Sequence, residues 1–357
     1  MKTALIAMSG GVDSGTAAFL TQQAGYVCTG CIMRLHDTKK ADLPDADSTG
    51  NDIADARKIA EHLNMPFRVL DLRDRFREQV IGRFCRCYLE GRTPNPCIEC
   101  NRCLKFGALL DFADALGCDK IVTGHYARIE ETEQGFLLKR AADPAKDQSY
   151  VLYMLTQAQL ARVMLPLGCL SKPEVRAIAA EQGLVSAHKS ESQDICFVPD
   201  GDYARVICAQ TGIRPEPGEF VDMQGHVLGQ HAGLIHYTVG QRRGLGIAIG
   251  KPAYVVGLDV PQNRVVIGAN DDLFHRSCLV RNVNWISGTP PQAPVRCQAK
   301  IRYRHPAQPA AVQFTDDSTA LLTFDAPQRA ITAGQAAVFY DGETVLGGGE
   351  IEKLCDD

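Results

Sequence analysis

The sequence predicts an α/β protein in three parts. These are a doubly wound parallel sheet over residues 1–205, a small β-rich domain over 206–275 and a C-terminal β-barrel over 276–357. Three observations carry this reading. Strand-like and helix-like segments alternate through the first two hundred residues, the pattern of βαβ units. After about residue 205, glycine and proline become frequent and β-branched runs replace helical periodicity. The turn Ser9-Gly10-Gly11-Val12-Asp13-Ser14 stands where the first strand gives way to the first helix.

The elements follow in order. Residues 3–8 (TALIAM) are a short apolar run suited to a buried parallel strand, and 14–24 read as a helix closed by Gly25. Ile53, Ala56, Ala60 and Leu63 recur at helical spacing over 52–63. A strand is expected at 67–72, a helix at 104–116 ended by Gly117, and a strand at 120–123. Ser171-Lys172-Pro173-Glu174 is a capping box with proline in the first turn, opening a helix that Gly183 closes. Beyond 205, residues 254–260, 264–267, 295–303, 310–314, 320–324 and 336–340 read as strands.

The 357 residues suffice for two or three domains, at about 100–200 residues each, with no need for disulfide or metal staples. No stretch resembles a leader peptide or reaches bilayer-spanning length, so a soluble cytoplasmic protein is expected. The net charge of −4 gives no global footprint for nucleic acid, so an RNA partner would need local patches. The fourteen cysteines are scattered. In a reducing compartment they are packing residues, metal ligands or reactive thiols. Cys28 and Cys31 lie on a predicted strand, where residues three apart face opposite sides, and read as packing. Cys85 and Cys87, two apart on a helix, read the same way.

The turn at 9–14 carries the chemistry. Its glycines let the backbone approach an anion, Ser9 and Ser14 add hydroxyls, and the free N–H groups of the helix start face a phosphate. No Gly-Lys-Ser/Thr follows, so this is not a Walker A loop. A pyrophosphate cradle fits better, with Asp13 placing Mg²⁺. The segment SGGVDS resembles the loop of the ATP-pyrophosphatase family, whose members adenylate a substrate oxygen and let a nucleophile displace AMP. Taken alone, it leaves GMP synthetase, NAD synthetase, argininosuccinate synthetase and thiouridine synthetases open.

Further blocks narrow the resemblance. The run from Gly91 to Asn101 (GRTPNPCIECN) is similar to the catalytic loop of the tRNA-specific 2-thiouridylases. So are Thr123–Tyr126 (TGHY), Lys146–Tyr150 (KDQSY), Gly240–Gly246 (GQRRGLG), Lys300–Arg304 (KIRYR) and Gly347–Gly349. The resemblance spans residues 6 to about 352 and implies ATP-dependent 2-thiolation of the wobble uridine of tRNA. It implies that Ala7, Met8, Ser9, Gly10, Gly11, Val12, Asp13 and Ser14 bind ATP, bordered by Met33 and Gly124. Cys196 would receive a persulfide from a donor, a sulfurtransferase or relay protein, with Cys100 as catalytic partner and a disulfide forming between them. Asn95, Pro96 and Cys97 would meet the target base. Asp147, Gln148, Ser149, Arg302 and Tyr303 would contact tRNA, and the enzyme would act as a monomer.

Two departures stand out. Many family members carry an acidic residue where Cys97 stands, and Ser192-Gln193-Asp194 replaces a usual Ser-Thr-Gly before Ile195-Cys196. Cys97, Cys100 and Cys103 form C-x-x-C-x-x-C, a spacing that resembles part of an iron–sulfur run. With Cys196 they would supply four thiolates to a [4Fe–4S] cluster, or formally to zinc; otherwise Cys97 and Cys103 are spare thiols. Arg296, Lys300, Arg302 and Arg304 form a basic stretch. On a strand, the last three share a face and Tyr303 takes the other, an arrangement suited to a phosphate backbone and a stacked base. His125 follows a strand's carboxyl end, where ligands bind in α/β sheets; the competing role is structural. Two alternatives remain at this point: an ATP-pyrophosphatase ligase using ammonia or an amino acid, and a non-catalytic RNA-binding or iron–sulfur sensor protein.

Overall fold

The computed structural model describes residues 1–36, 48–184, 195–247 and 250–355, with the backbone alone at 48–51. Its first sheet contains β1 (Thr3–Met8), β2 (Val27–Arg34), β3 (Phe67–Asp71), β4 (Lys120–Val122) and, after the hairpin β5 (Ala127–Thr132) and β6 (Gly135–Arg140), β7 (Val163–Met164). The order is β3-β2-β1-β4-β7, every pairing parallel. Ala4, Leu5 and Ile6 of the central β1 are all 0% exposed, as a parallel strand covered on both faces requires. Leu5 and Cys31 join the core on one face, and Ala4, Ile6 and Cys28 join the other. The C-x-x-C of β2 is thus split across the sheet and serves packing.

The middle region is a four-stranded sheet of β8 (Gly218–Val221), β9 (Val227–His231), β10 (Tyr254–Asp259) and β11 (Arg264–Gly268), in the order β10-β11-β8-β9. β12 (Phe274–Trp285), β13 (Val295–Lys300), β14 (Gln308–Phe314), β15 (Ala320–Arg329), β16 (Ala336–Asp341) and β17 (Thr344–Cys355) follow. They pair as β12-β15-β14-β13-β16-β17, and β17 pairs back onto β12 to close a six-stranded barrel. Closure removes the open edges. The interior is filled by small and β-branched side chains such as Ala299, Ala310, Val312 and Ile351, with Phe324 and Phe339. The hairpin β5–β6 leaves the first sheet and extends the barrel's sheet, with Leu138 opposite Val345.

Two local differences from the sequence reading affect the site. The helix expected from 104 begins at Pro96: Asn95 caps it by accepting from the Cys97 N–H, and proline occupies the first turn. It continues without a break through a π-helical stretch, Asn101–Ala108, into Leu109–Ala115. Cys100 therefore lies within the helix and not ahead of it. The strand expected over 295–303 ends at Lys300, and Arg302 and Tyr303 lie in the turn that follows. Their alternation across a strand does not exist.

Candidate functional site

The site assembles at the carboxyl ends of β1 and β4. After β1, Gly10 adopts φ +72°, and a Cβ there would lie 2.7 Å from the Asp52 carbonyl oxygen, so only glycine fits. The Ser9 N–H donates to Ser14 Oγ at 3.1 Å, and Ser14 Oγ donates to the Gly11 carbonyl. These bonds hold the turn tightly at the start of the helix Val12–Gln23. Gly124, after β4, packs against that helix start; a Cβ there would come within 3.0–3.1 Å of Asp13 and Ser14. Met8 is buried and Met33 half-buried on the strands beneath.

Asp13 is engaged by residues distant in sequence. Lys172 Nζ lies 2.7 and 2.9 Å from its two carboxylate oxygens, and Tyr126 Oη donates to Oδ1 at 2.6 Å. The loop lacks a lysine of its own, but the capping box at Ser171–Glu174 delivers one, 8% exposed, to its mouth. Nothing in the local pattern around Lys172 signalled this, because the pairing spans 159 residues.

Residues 124–126 join the turn 9–14 to Lys105 on the helix that carries Cys97 and Cys100. Gly124 and Tyr126 contact Asp13 as described. His125 between them is buried, with Nδ1 2.8 Å from Thr123 Oγ1 and Nε2 3.5 Å from Lys105 Nζ. An ammonium only donates, so Nε2 accepts and Nδ1 carries the proton toward Thr123. Burial, then Lys105, drive the His125 pKa well below its usual value and keep the ring neutral. Lys105 is the cation of the thiol group: it favours the thiolates of Cys97, Cys100 and Cys196. Burial outweighs it, and all three thiols stand above their usual pKa, Cys196 at about 12. Cys97 and Cys196 still present exposed surface, with Cys100 half-buried. Cys97 and Cys100 each add to the shift at Cys196, which places the three thiols in one electrostatic neighbourhood. Residues 192–194 lie outside the described residues.

Cys103 does not share that neighbourhood. Its Sγ donates to Glu99 Oε1 at 3.7 Å, and its thiol responds to Glu99, Arg102 and Arg83. Among the described residues no three His, Cys, Asp or Glu side chains converge to hold a metal ion. The four-cysteine arrangement expected for a [4Fe–4S] cluster therefore does not fit, because one of its ligands is turned to an ion pair.

The remaining expected contacts are distributed unequally. Asp147 accepts from the N–H groups of Ala141 and Ser149, and its Oδ2 from Ser149 Oγ. Gln148 accepts from the Tyr126 N–H and donates its own N–H to the Tyr126 carbonyl, clamping the 124–126 segment. Arg302 is half-buried and donates through Nη2 to the Ala330 carbonyl and Thr332 Oγ1. Tyr303 is 38% exposed, edge-on to Tyr150 at 6.0 Å, with Lys300 Nζ over both rings. Burial, then Asp147 and Cys97, raise the Tyr303 pKa, so this open ring shares the electrostatic neighbourhood of Cys97. Arg296, expected in the same basic stripe, is bound to Asp325 at 2.6–2.8 Å.

Three family models cover the chain. One described as a tRNA methyl transferase HUP domain matches residues 2–200, a tRNA methyl transferase PRC-barrel domain matches 209–269, and an aminomethyltransferase β-barrel domain matches 275–351. The tRNA-specific 2-thiouridylase MnmA of Moorella thermoacetica is 49% identical, over 98% of this chain and 99% of its own. The protein of that name in Clostridioides difficile is 45% identical, over 99% and 98%. Among solved structures, a 4-thiouridine synthetase in complex with RNA and ATP matches at TM-score 0.38 and 16% identity, covering 59% of this chain and 50% of that one. On the strength of its end-to-end relatives, the chain belongs to the tRNA-specific 2-thiouridylase family and is a transferase.

Proposed function

We propose that the protein replaces the C2 oxygen of the tRNA wobble uridine with sulfur at the expense of ATP. One observation carries the reading: the segment 124–126 touches the turn 9–14 through Gly124 and Tyr126, and through His125 it meets Lys105, the cation that favours the thiolates of Cys97, Cys100 and Cys196. An anion cradle and sulfur nucleophiles thus share one site, which a ligase using ammonia or a passive RNA binder would not require.

ATP, entering with Mg²⁺ as substrate, lies with its phosphates on the turn 9–14, near Lys172. Lys172 and Tyr126 already hold Asp13, so its carboxylate meets the metal ion only by sharing or exchanging those partners. The uridine, turned out of the anticodon stack, stacks against Tyr303 near Cys97. Its C2 oxygen attacks the α-phosphorus, pyrophosphate leaves, and the C2 oxygen becomes part of an AMP leaving group. The terminal sulfur of a Cys196 persulfide attacks C2 and AMP departs. The Cys100 thiolate then attacks Cys196 Sγ, forming the Cys100–Cys196 disulfide and releasing 2-thiouridine. Alternatively Cys100 attacks first and frees sulfide to attack C2. Either route leaves a disulfide, which an external dithiol reduces before the next turnover. The persulfide donor is a cytoplasmic sulfurtransferase or relay protein. No step runs through an iron–sulfur cluster.

The test is mass spectrometry of tRNA incubated with the protein, ATP and a persulfide donor. One oxygen exchanged for sulfur in the anticodon loop is expected, with the product absent for Cys100→Ser. Unmodified tRNA alongside vigorous ATP–pyrophosphate exchange would instead indicate a different ligase.

A further inference from the structure

The ion pairs beneath the thiol helix belong to two domains. Glu99 stands between Cys97 and Cys100, with Arg83 Nε 2.7 Å from one carboxylate oxygen and Arg102 Nε 3.8 Å from the other. The far side of the Arg83 guanidinium, Nη2, lies 2.6 Å from Glu350 Oε2 on β17 of the barrel. The second oxygen of Glu350 lies 2.6 Å from Arg92 Nη2. The two carboxylates are only 12% and 15% exposed. The loop leading to the helix is clasped at the same place. The Thr93 N–H donates to the Ala333 carbonyl at 2.8 Å, and Gln335 Nε2 donates to the Thr93 carbonyl at 2.8 Å. Gly334, at φ +89°, lies so close that a Cβ would come within 2.9–3.0 Å of the Thr93 backbone. A cavity of about 30 Å³, room for about one water, is lined by Arg83, Asn95, Pro96, Glu99, Tyr153 and Glu350 among others.

We infer that Glu350 is a positioning residue for sulfur transfer: through Arg83 and Arg92 the C-terminal barrel fixes the helix that carries Cys97 and Cys100. The barrel is then part of the thiolation machinery as well as a surface for RNA. The inference rests on the two-stage reading above, adenylation followed by sulfur transfer. The nucleotide turn is held separately, by Gly124, Tyr126 and Lys172. Removing the charge of Glu350 leaves two guanidiniums in a half-buried place with Glu99 as the remaining acid partner of Arg83, and a buried charge stripped of its partner forces rearrangement. The segment free to move is the loop 91–96 and the helix it starts. A displacement of about 1 Å at reacting groups costs about a hundredfold in rate.

The test measures pyrophosphate release and 2-thiouridine formation together in a single turnover, with the full chain, loaded with persulfide by a sulfurtransferase, in excess over tRNA transcript, and with ATP added to start the reaction. Glu350→Gln is expected to lower 2-thiouridine by at least about tenfold while pyrophosphate release stays within about threefold of wild type. Glu350→Asp, which keeps the charge and shortens the reach, should show the same split to a smaller degree and serves if Glu350→Gln does not fold. A proportional fall in both products would make Glu350 a mere strut and overturn the inference, as would no change in either. A wild-type protein that releases no pyrophosphate with tRNA would overturn the two-stage reading itself, and this inference with it.

Discussion

Lys172 is the residue on which the nucleotide turn can be tested most sharply. Its side chain is 10% exposed and its Nζ bridges both oxygens of Asp13, whose side chain is 31% exposed. Lys172→Met keeps most of the volume and removes the cation. Asp13 retains the Tyr126 hydroxyl but loses a charged partner. Stripping one member from a fully buried pair costs about 3–5 kcal/mol. Asp13 is one-third open to water, which reduces the expected loss to about 2–3 kcal/mol. At roughly 2–4 °C per kcal/mol for a domain of this size, melting should fall by about 5–10 °C. Asp13→Asn combined with Lys172→Met strands no charge, so it should recover most of that loss. Activity should behave differently. A cation aimed at phosphate oxygens is worth about 10²–10³ in rate, so AMP formation should drop by at least about a hundredfold in Lys172→Met and stay low in the double variant. Scanning calorimetry and AMP release with saturating tRNA, below the variant's melting temperature, separate the two effects. If Lys172→Met released AMP at the wild-type rate, the lysine would be a strut between two helices and nothing more.

Three further outcomes are expected. His125 titrates well below its usual value in the folded chain, so near pH 6 the unfolded state binds more protons and stability falls as pH drops through about 6.5; between pH 7 and 5 wild type should lose about 2 kcal/mol more than His125→Gln in urea titrations, and equal losses would mean the buried ring is charged. Cys103→Ser should thiolate tRNA within about twofold of wild type, because its thiol faces Glu99 and not the other cysteines; loss of activity together with bound iron on anaerobic purification would restore the cluster. Arg302→Met should destabilise by about 1–3 kcal/mol, since Thr332 Oγ1 loses the guanidinium donor and the Ala330 carbonyl keeps only the Thr332 hydroxyl; an RNA role predicts in addition a shallower salt dependence of tRNA binding, by about one unit of slope.

Much of the fold was legible because its signals are local. The buried run at 3–8, the glycine turn that follows and the capping box at Ser171 each announce themselves within a few residues, and each is found in place. What escaped depends on distant partners. The hairpin β5–β6 carries charged residues such as Arg128, Glu130 and Lys139, and it becomes a strand pair by extending the barrel at β17. The three glycines at 347–349 read as a motif, but their reason is spatial: side chains there would strike the carbonyls of Asn284, Ala337 and Arg281 on neighbouring strands, at 2.2–2.6 Å. The basic run at 296–304 failed as a stripe because the chain turns after Lys300 and an acid from another strand claims Arg296.

The thiol site shows how a sequence pattern can be correct in residues and misleading in geometry. On an α-helix, residues three and four apart share a face, so C-x-x-C-x-x-C suggests three thiols in a row. The first interval obeys this rule, because Pro96–Cys100 is α-helical. From Asn101 to Ala108 the chain is π-helical, with bonds from each residue to the fifth beyond it. A turn that holds more residues swings the third one aside and brings the fifth back into line. The third after Cys100 is Cys103, which faces the Glu99 ion pair. The fifth is Lys105, the cation that acts on Cys97, Cys100 and Cys196 and reaches His125. The widened turn thus exchanges a third sulfur for a positive charge, and a site whose spacing suggests metal ligation acquires instead the charge that a thiolate needs. In this chain a cysteine occupies position 97, where relatives are expected to carry an acid, so the charge supplied by that turn is what the sulfur chemistry has to work with.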